Sequence, residues 1–220
     1  MELYIAGGVG EHGRNCFYLQ NREDAILLDC GLMAGSDDPL LRLTESQIRK
    51  LKAVFLTHSH ADHTGALPWL FRQGYTGPII ATTPTLQQLP FIVQNTVALE
   101  QAAPRNEKCN GITWGLSGHC AGSVWLKLDW DGKTILFSGD YTEQSAVYPC
   151  DVLRNQVADL AVLDCAYGHD SALWNDSVIA AAAAVENLLE KTPIVFLPVP
   201  KYGRGLDLLL QIRRRLPYVP

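Results

Sequence analysis

The sequence has no hydrophobic run close to the about 20 residues that a membrane-spanning helix needs. Positive charge is also scarce: 18 Lys and Arg against 23 Asp and Glu give a formal net charge of −5, which does not indicate a broad basic face. The start of the chain, Met1–Ile5, lacks the basic and apolar regions of a signal peptide. We therefore expect a cytoplasmic protein without a membrane partner.

The six cysteines form no Cys-X-X-Cys pair, and a chain of 220 residues can bury enough core to fold without disulfides. We expect free thiols that serve as small core residues in a reducing compartment. Hydrophobic residues make up 47% and charged residues 19% of the sequence, which excludes a disordered chain.

Strand-like and helix-like segments alternate and predict an α/β fold, with helices flanking a sheet that is not purely parallel. Asp131-Gly132 predicts a tight hairpin turn, and Thr44 with Gln47 predicts a helix-capping box. Pro90 predicts a kink in its helix. The predicted strands are Leu3–Ala6, Cys16–Gln20, Ala25–Asp29, Ala53–Thr57, Pro78–Thr82, Ser123–Trp130, Lys133–Ser138, Leu160–Asp164 and Ile194–Pro198. The predicted helices are Thr44–Leu51, Asp62–Gln73, Pro84–Gln101, Asp176–Lys191 and Gly205–Leu216.

The segment from His58 to His63 reads His-X-His-X-Asp-His and lies between a predicted strand and a predicted helix. In an extended segment the spacing of two puts the imidazoles of His58 and His60 on the same side. Asp62 and His63 follow the turn and can serve a second ion. Imidazole and carboxylate ligands together suit zinc, with manganese or iron as alternatives.

Two further candidate ligands lie at the ends of the predicted hairpin. His119 precedes its first strand and Asp140 follows its second. Alone, His119 would be an ordinary loop residue and Asp140 a turn former. Beside the histidine motif, both become candidate ligands, and a carboxylate at Asp140 can bridge two cations.

These motifs resemble the metallo-β-lactamase superfamily, and their details resemble its RNA-cutting branch, the β-CASP nucleases that include ribonuclease J. The resemblance covers nearly the whole chain. The similar segments are Gly7–Asn15 (the glycine-rich first loop), Leu28–Gly31, Leu56–Leu70, Ser117–Ser123 and Phe137–Tyr141 (the first to fourth motifs), Leu163–Gly168 (the opening of the β-CASP signature) and Lys201–Leu206 (the Gly-Arg turn of the inserted β-CASP domain).

The resemblance implies an αββα sandwich and a zinc-dependent hydrolase, a ribonuclease whose two metal ions activate a hydroxide that cleaves RNA or another phosphodiester. Manganese is an alternative to zinc, and a homodimer is compatible with this interpretation. The implied ligands are His58, His60 and His119 for one ion and Asp62, His63 and Asp140 for the other. The implied catalytic carboxylates are Asp62, Asp140 and Asp164, with Asp29 orienting a ligand histidine.

The resemblance also divides the chain into a metallo-β-lactamase domain at residues 1–175 and the start of a β-CASP domain at residues 176–220. Members of the family place two more histidines beyond that insertion, whereas only His169 follows Asp140 here. Because the chain stops at Pro220 after an unfinished strand and helix, we expect it to be truncated.

Three other interpretations deserve weighing. A dinucleotide-binding loop at Gly8–Gly13 is rejected, because such a loop must open a helix and a strand follows here. A compact hydrolase such as a thioesterase would use His169 as its closing ligand, although an exposed loop residue is the simpler assignment. A non-catalytic scaffold subunit is the third, and it conflicts with an intact histidine motif.

Overall fold

The computed structural model describes residues 1–169, 171–200 and 202–218, and it has the expected α/β fold with two stacked β-sheets. The strands are β1 Glu2–Gly7, β2 Cys16–Gln20, β3 Ala25–Leu28, β4 Leu51–Phe55, β5 Ile79–Ala81, β6 Thr96–Ala98, β7 Ile112–Leu116, β8 Val124–Trp130, β9 Lys133–Phe137 and β10 Leu160–Val162. The helices are α1 Glu45–Lys50, α2 Ala61–Thr64, α3 Leu67–Arg72, α4 Thr83–Gln88, α5 Leu99–Ala102, α6 Trp174–Leu189 and α7 Gly205–Arg215.

Both sheets are mixed. The larger sheet has the order β1-β2-β3-β4-β5-β6, antiparallel as far as β3 and parallel from β3 onwards. The smaller sheet has the order β10-β9-β8-β7, in which only the pair of β10 and β9 is parallel. The hairpin of β8 and β9 over Asp131-Gly132 is therefore confirmed.

Strand β2 shows that both faces of the larger sheet are buried, one against the smaller sheet and the other against the helices. Phe17 and Leu19 point into the core between the two sheets, where Phe17 meets Phe137 of the other sheet edge to face at 5.0 Å. Cys16 and Tyr18 point the opposite way, into a second core against the helices. Because both faces are covered, β2 is a continuous apolar run instead of an alternating one.

The structure also tests the predicted helix cap and the predicted free thiols. The capping box predicted at Thr44 and Gln47 is present at the start of α1. All six cysteines are free, and complete burial raises the pKa of Cys16 and Cys30 well above the usual value. Cys16, Cys30 and Cys120 are core residues, as expected. The expectation is wrong for Cys165, which is exposed, and Cys109 and Cys150 are only half-buried. Among the described residues, no helix combines the length and the apolarity required to cross a bilayer.

The helix predicted over Asp62–Gln73 is wrong in its continuity, because the structure divides it into α2 and α3. Gly65 ends the first helix, and Pro68 lies in the first turn of the second. Proline fits the first turn of a helix but not its interior, where it removes a hydrogen bond and clashes with the preceding turn.

The single helix predicted over Pro84–Gln101 is also wrong. Helix α4 ends at Gln88, since Leu89 takes extended backbone angles ahead of Pro90, where the proline ring excludes a helical neighbour. Downstream, Thr96 and Val97 form β6 on the edge of the larger sheet. The β-branched side chains there favour a strand over the helix that we expected.

The strand predicted at Ile194–Pro198 is absent: these residues form no strand, and Phe196 is 88% exposed. In the described part of the chain, no strand pairs with this apolar segment. In contrast, β7 was missed, because Gly115 interrupts its pattern. A Cβ at Gly115 would lie 2.5 Å from the ring of Trp125, so the glycine is required by packing.

The core between the sheets gives a first prediction. Leu126 on β8 is 1% exposed in that core, whereas its neighbour Lys127 faces the other way. We expect Leu126→Ala to lower the free energy of unfolding by about 2–5 kcal/mol, because it leaves a cavity. Lys127→Ala should change it by less than about 0.5 kcal/mol. Equal urea midpoints for the two variants would contradict this account of the core.

Candidate metal centre

The motif histidines lie where strand β4 of the larger sheet ends. His58 and His60 occupy the extended turn that follows β4, and Asp62 and His63 lie in the short helix α2. The loops next to β8 and β9 of the smaller sheet bring two more candidate ligands to the same end of the sandwich. The centre therefore draws its residues from both sheets, at the carboxyl ends of strands, where α/β folds commonly place a ligand site.

Three imidazole nitrogens and one carboxylate oxygen converge in this centre. His58 Nε2 and His119 Nε2 lie 3.0 and 3.1 Å from His60 Nδ1. Asp140 Oδ2 is 3.3 Å from His119 Nε2 and 3.8 Å from His58 Nε2, and all four ligand atoms lie within 4.8 Å of one another. A tetrahedral zinc shell puts neighbouring ligand atoms roughly 3.3 Å apart. The spacing fits a divalent metal ion.

The other oxygen of the Asp140 carboxylate faces a second group of side chains. Asp140 Oδ1 lies 3.2 Å from His63 Nε2, and Asp62 Oδ2 lies 3.5 Å from the same nitrogen. One carboxylate thus stands between two sets of ligand atoms, one oxygen towards each. This is the arrangement in which a carboxylate can bridge two ions.

Asp29 is fully buried behind His63. Its carboxylate accepts hydrogen bonds from the backbone N–H and the hydroxyl of Thr57, both at 2.8 Å, and lies 2.7 Å from His63 Nδ1. With Nδ1 engaged there, the ring of His63 turns its Nε2 towards Asp62 and Asp140. The contact has the form of the carboxylate–histidine pair that commonly supports a metal ligand.

Burial and neighbouring charges shift the pKa values of these groups in different directions. Burial lowers the pKa of His58 well below its usual value and that of His119 to about 4, so both rings are neutral donors near pH 7. Burial also acts to lower the pKa of His63, but Asp29 and Asp140 outweigh it and raise that pKa well above the usual value. The pKa of Asp140 falls despite burial, because His63 hydrogen-bonds to it. Uncharged imidazoles beside an ionised carboxylate are groups that favour a bound cation.

Two residues that the sequence did not single out also line the centre. The backbone N–H of Asn15 donates to the carbonyl of Asp62 at 2.8 Å, and its side-chain nitrogen lies 3.0 Å from His63 Nε2. Gly31 permits this approach, since a Cβ there would lie 1.8 Å from Asp62 O. Both residues belong to segments with recognised resemblance, but spacing along the chain did not show which side chain would reach the ligands.

The third missed contact comes from the far end of the chain. His60 Nε2 lies 3.1 Å from the backbone carbonyl of Tyr202, within the Gly-Arg turn. The resemblance marked Lys201–Leu206, of which Lys201 lies outside the described residues, but gave the turn no contact with the metal ligands. A backbone carbonyl leaves no signature in sequence, because any residue could supply it.

The remaining candidates lie apart from the converging ligands. The carboxylate of Asp164 accepts from the backbone N–H groups of Tyr141 and Ala166, at 3.2 and 2.8 Å. It therefore braces the loop beside Asp140. His169 is exposed after the turn at Tyr167.

The chain is similar to several known proteins. Residues 9–109 match the metallo-beta-lactamase superfamily. The transcription termination factor FttA of Methanothermobacter thermautotrophicus is 30% identical over 94% of this chain and 38% of its own length. Ribonuclease TTHA0252 of Thermus thermophilus is 26% identical over 89% of this chain and 51% of its own. The metallo-beta-lactamase fold protein YhfI of Bacillus subtilis has a TM-score of 0.46 and 19% identity, over 64% of this chain and 63% of its own.

The chain thus spans between about two fifths and about half of the length of these two curated relatives. The superfamily match contains the whole histidine motif, and the similarity to FttA extends over nearly all of the chain. Motifs, convergent ligands and comparisons agree on one conclusion. The chain carries a metallo-β-lactamase domain, matched over residues 9–109.

Proposed function

We propose that this chain is a zinc-dependent phosphodiesterase that cleaves RNA. The observation that carries the proposal is the Asp140 carboxylate, which directs one oxygen towards His119 and the other towards His63. A carboxylate in that position offsets the repulsion between two cations. Two divalent ions supply a hydroxide nucleophile and neutralise the phosphate oxygens, which is the chemistry of phosphodiester hydrolysis.

In this proposal the ligands divide into two sets around Asp140. His58, His60 and His119 would hold one ion, and the short nitrogen–nitrogen distances support that assignment. Asp62, His63 and Asp140 hold the other. Asp29 orients His63, and Asp164 acts by fixing the backbone beside Asp140. Zinc suits the imidazole-rich set, and manganese is the alternative for the carboxylate-rich one.

RNA as the substrate is supported by the relatives. One is named a ribonuclease and another a transcription termination factor, and both are similar to this chain over most of its length. Because the chain spans only part of those proteins, its activity and substrate stay proposals here. A cytoplasmic location fits an RNA-acting protein with free thiols.

Metal content tests the ligand assignment. We expect the purified chain to carry between about one and two zinc or manganese ions by elemental analysis, and nearer one. With Asp140 Oδ2 included, the first set offers four ligand atoms, whereas Asp62, His63 and Asp140 Oδ1 offer the second only three. Asp140→Ala should lower that content and abolish hydrolysis. The control is Asp37→Ala, which changes an exposed carboxylate far along the chain from the ligands. A folded wild-type chain that takes up no metal would exclude this function.

The buried carboxylate of Asp29 gives a separate prediction. Asp29→Asn should weaken metal affinity about 10–100-fold, because the amide no longer supports His63 with a negative charge. Asp24→Asn is the matched control, since Asp24 precedes the same strand and pairs with Lys52 at 3.2 Å on the surface. Unchanged metal affinity in Asp29→Asn, measured by competition with a chelator, would show that Asp29 does not support metal binding through His63.

Hydrolysis of two small substrates distinguishes the proposed activity from its rivals. We expect metal-dependent turnover of bis(p-nitrophenyl) phosphate, whose leaving group needs no general acid, and none of a thioester. RNA cleavage should require low salt, because a net charge of −5 gives little attraction for a polyanion. Turnover of the thioester alone would identify a thioesterase. Bound metal without any turnover would favour the scaffold subunit.

A further inference from the structure

The turn formed by Tyr202, Gly203 and Arg204, here called the Gly-Arg turn, lies against the metal centre. The carbonyl of Tyr202 is 3.1 Å from His60 Nε2, although the two residues are 142 positions apart. A Cβ on Gly203 would lie 3.6 Å from both His60 Cε1 and His119 O. The turn therefore touches one candidate ligand through a hydrogen bond and packs on a second.

The contact with Tyr202 fixes which nitrogen of His60 carries the proton. A carbonyl oxygen only accepts hydrogen bonds, so the Nε2–H of His60 must donate to it. That leaves the lone pair on His60 Nδ1, the atom that lies about 3 Å from His58 Nε2 and His119 Nε2. The carbonyl thus selects the tautomer in which His60 can bind a metal ion.

In residues 1–169, 171–200 and 202–218, no other candidate ligand has a hydrogen-bond partner so distant along the chain. His63 is held by Asp29, and His58 Nδ1 lies 3.1 Å from the hydroxyl of Thr57, both near the ends of adjacent strands. Among the described residues, His119 Nδ1 is buried without a hydrogen-bond partner. His60 therefore carries the link between the metal centre and the C-terminal part of the chain.

Arg204 holds the Gly-Arg turn in place. Its guanidinium lies 4.8 Å from the ring centre of Trp174 and 5.1 Å from that of Tyr167, whose hydroxyl accepts a hydrogen bond from it. In the described part of the structure its Nε is buried without a partner, so stacking and the Tyr167 contact are what anchor it. The two rings come from the start of α6 and the turn before it.

The same region is tied down a second time. Asp207, in the first turn of α7, is 3% exposed and accepts from the indole N–H of Trp174 and the backbone N–H of Ala146, at 3.2 and 2.8 Å. The start of α7 is therefore fixed to the start of α6. The Gly-Arg turn directly precedes α7, so these contacts at the start of α7 also restrain the turn that contacts His60.

We propose that the Gly-Arg turn is a positioning element for the metal centre: Arg204, stacked between Tyr167 and Trp174, seats the Tyr202 carbonyl that orients His60. This role rests on the proposed metal-dependent function. Loss of the stack releases the Tyr202 carbonyl and leaves the ring of His60 free to rotate. The affinity for the ion that His60 would hold with His58 and His119 then falls.

The experiment uses Arg204→Ala, with Arg215→Ala as its matched control. Arg215 also belongs to the pair of α6 and α7, but its partner is Glu186, at 2.6 Å on the surface. Chelator competition with Co²⁺ should show about 10–100-fold weaker binding in Arg204→Ala and a changed visible spectrum, because one ligand is misoriented. Arg215→Ala should keep the wild-type affinity and spectrum.

A second measurement separates positioning from general loosening. In the zinc-loaded, ¹⁵N-labelled chain, the Nε2–H of His60 should give a histidine signal that is protected from solvent exchange. Arg204→Ala should lose that protection while the backbone amide signals of the sheets keep theirs. If Arg204→Ala does not fold, Arg204→Lys, which keeps the charge but not the planar stack, should show the same loss in smaller measure. Wild-type affinity with a protected signal in either folded variant overturns the positioning role. Absence of Co²⁺ binding by the wild type overturns the metal function itself.

Discussion

The hydrogen bonds of the buried Asp29 carboxylate are the interaction on which the rest of the centre depends. It lies at the end of β3 with no exposure, so its desolvation must be offset by strong partners. Those partners are the backbone and hydroxyl of Thr57 at the end of β4 and the ring of His63. One carboxylate therefore connects the ends of two strands and orients a candidate ligand, His63. Removal of that charge would leave three donors without their acceptor, which is costlier than the loss of a surface contact.

Thr57 also joins the two sheets. Its carbonyl accepts from the backbone N–H of Val124 at 2.9 Å, where β8 begins. Gly139 packs on its side chain so closely that a Cβ would lie 2.7 Å away, and Gly139 immediately precedes Asp140. The position of Asp140 relative to the histidines of the other sheet is thus set by backbone contact. Packing in the core between the sheets keeps that contact in place, which makes ligand geometry a consequence of the sandwich.

The sequence predicted those parts of the molecule that depend on neighbours along the chain. The His58–His63 motif, the turn at Asp131-Gly132 and the capping box at Thr44 all encode their geometry within a few residues. It failed where distant packing decides. Strand β6 forms because β5 offers a free edge, and the glycine that hid β7 is explained only by the ring of Trp125. The candidate ligands could be named from spacing, whereas their partners Asn15 and Tyr202 could not, because tertiary contacts bring them to the centre.

The charges of the centre indicate how metal and fold are coupled. Without an ion, Asp140 and Asp29 flank His63 and raise its pKa, so a proton there supplies part of the positive charge that the carboxylates require. His63 would hold a divalent ion only through the lone pair of its unprotonated Nε2, so metal binding would compete with that proton. The candidate ligands lie at the ends of strands in both sheets and in the short helix α2, and they converge only in the folded chain. An ion that bound there would favour the folded state over the unfolded one, because the unfolded chain does not bring these side chains together.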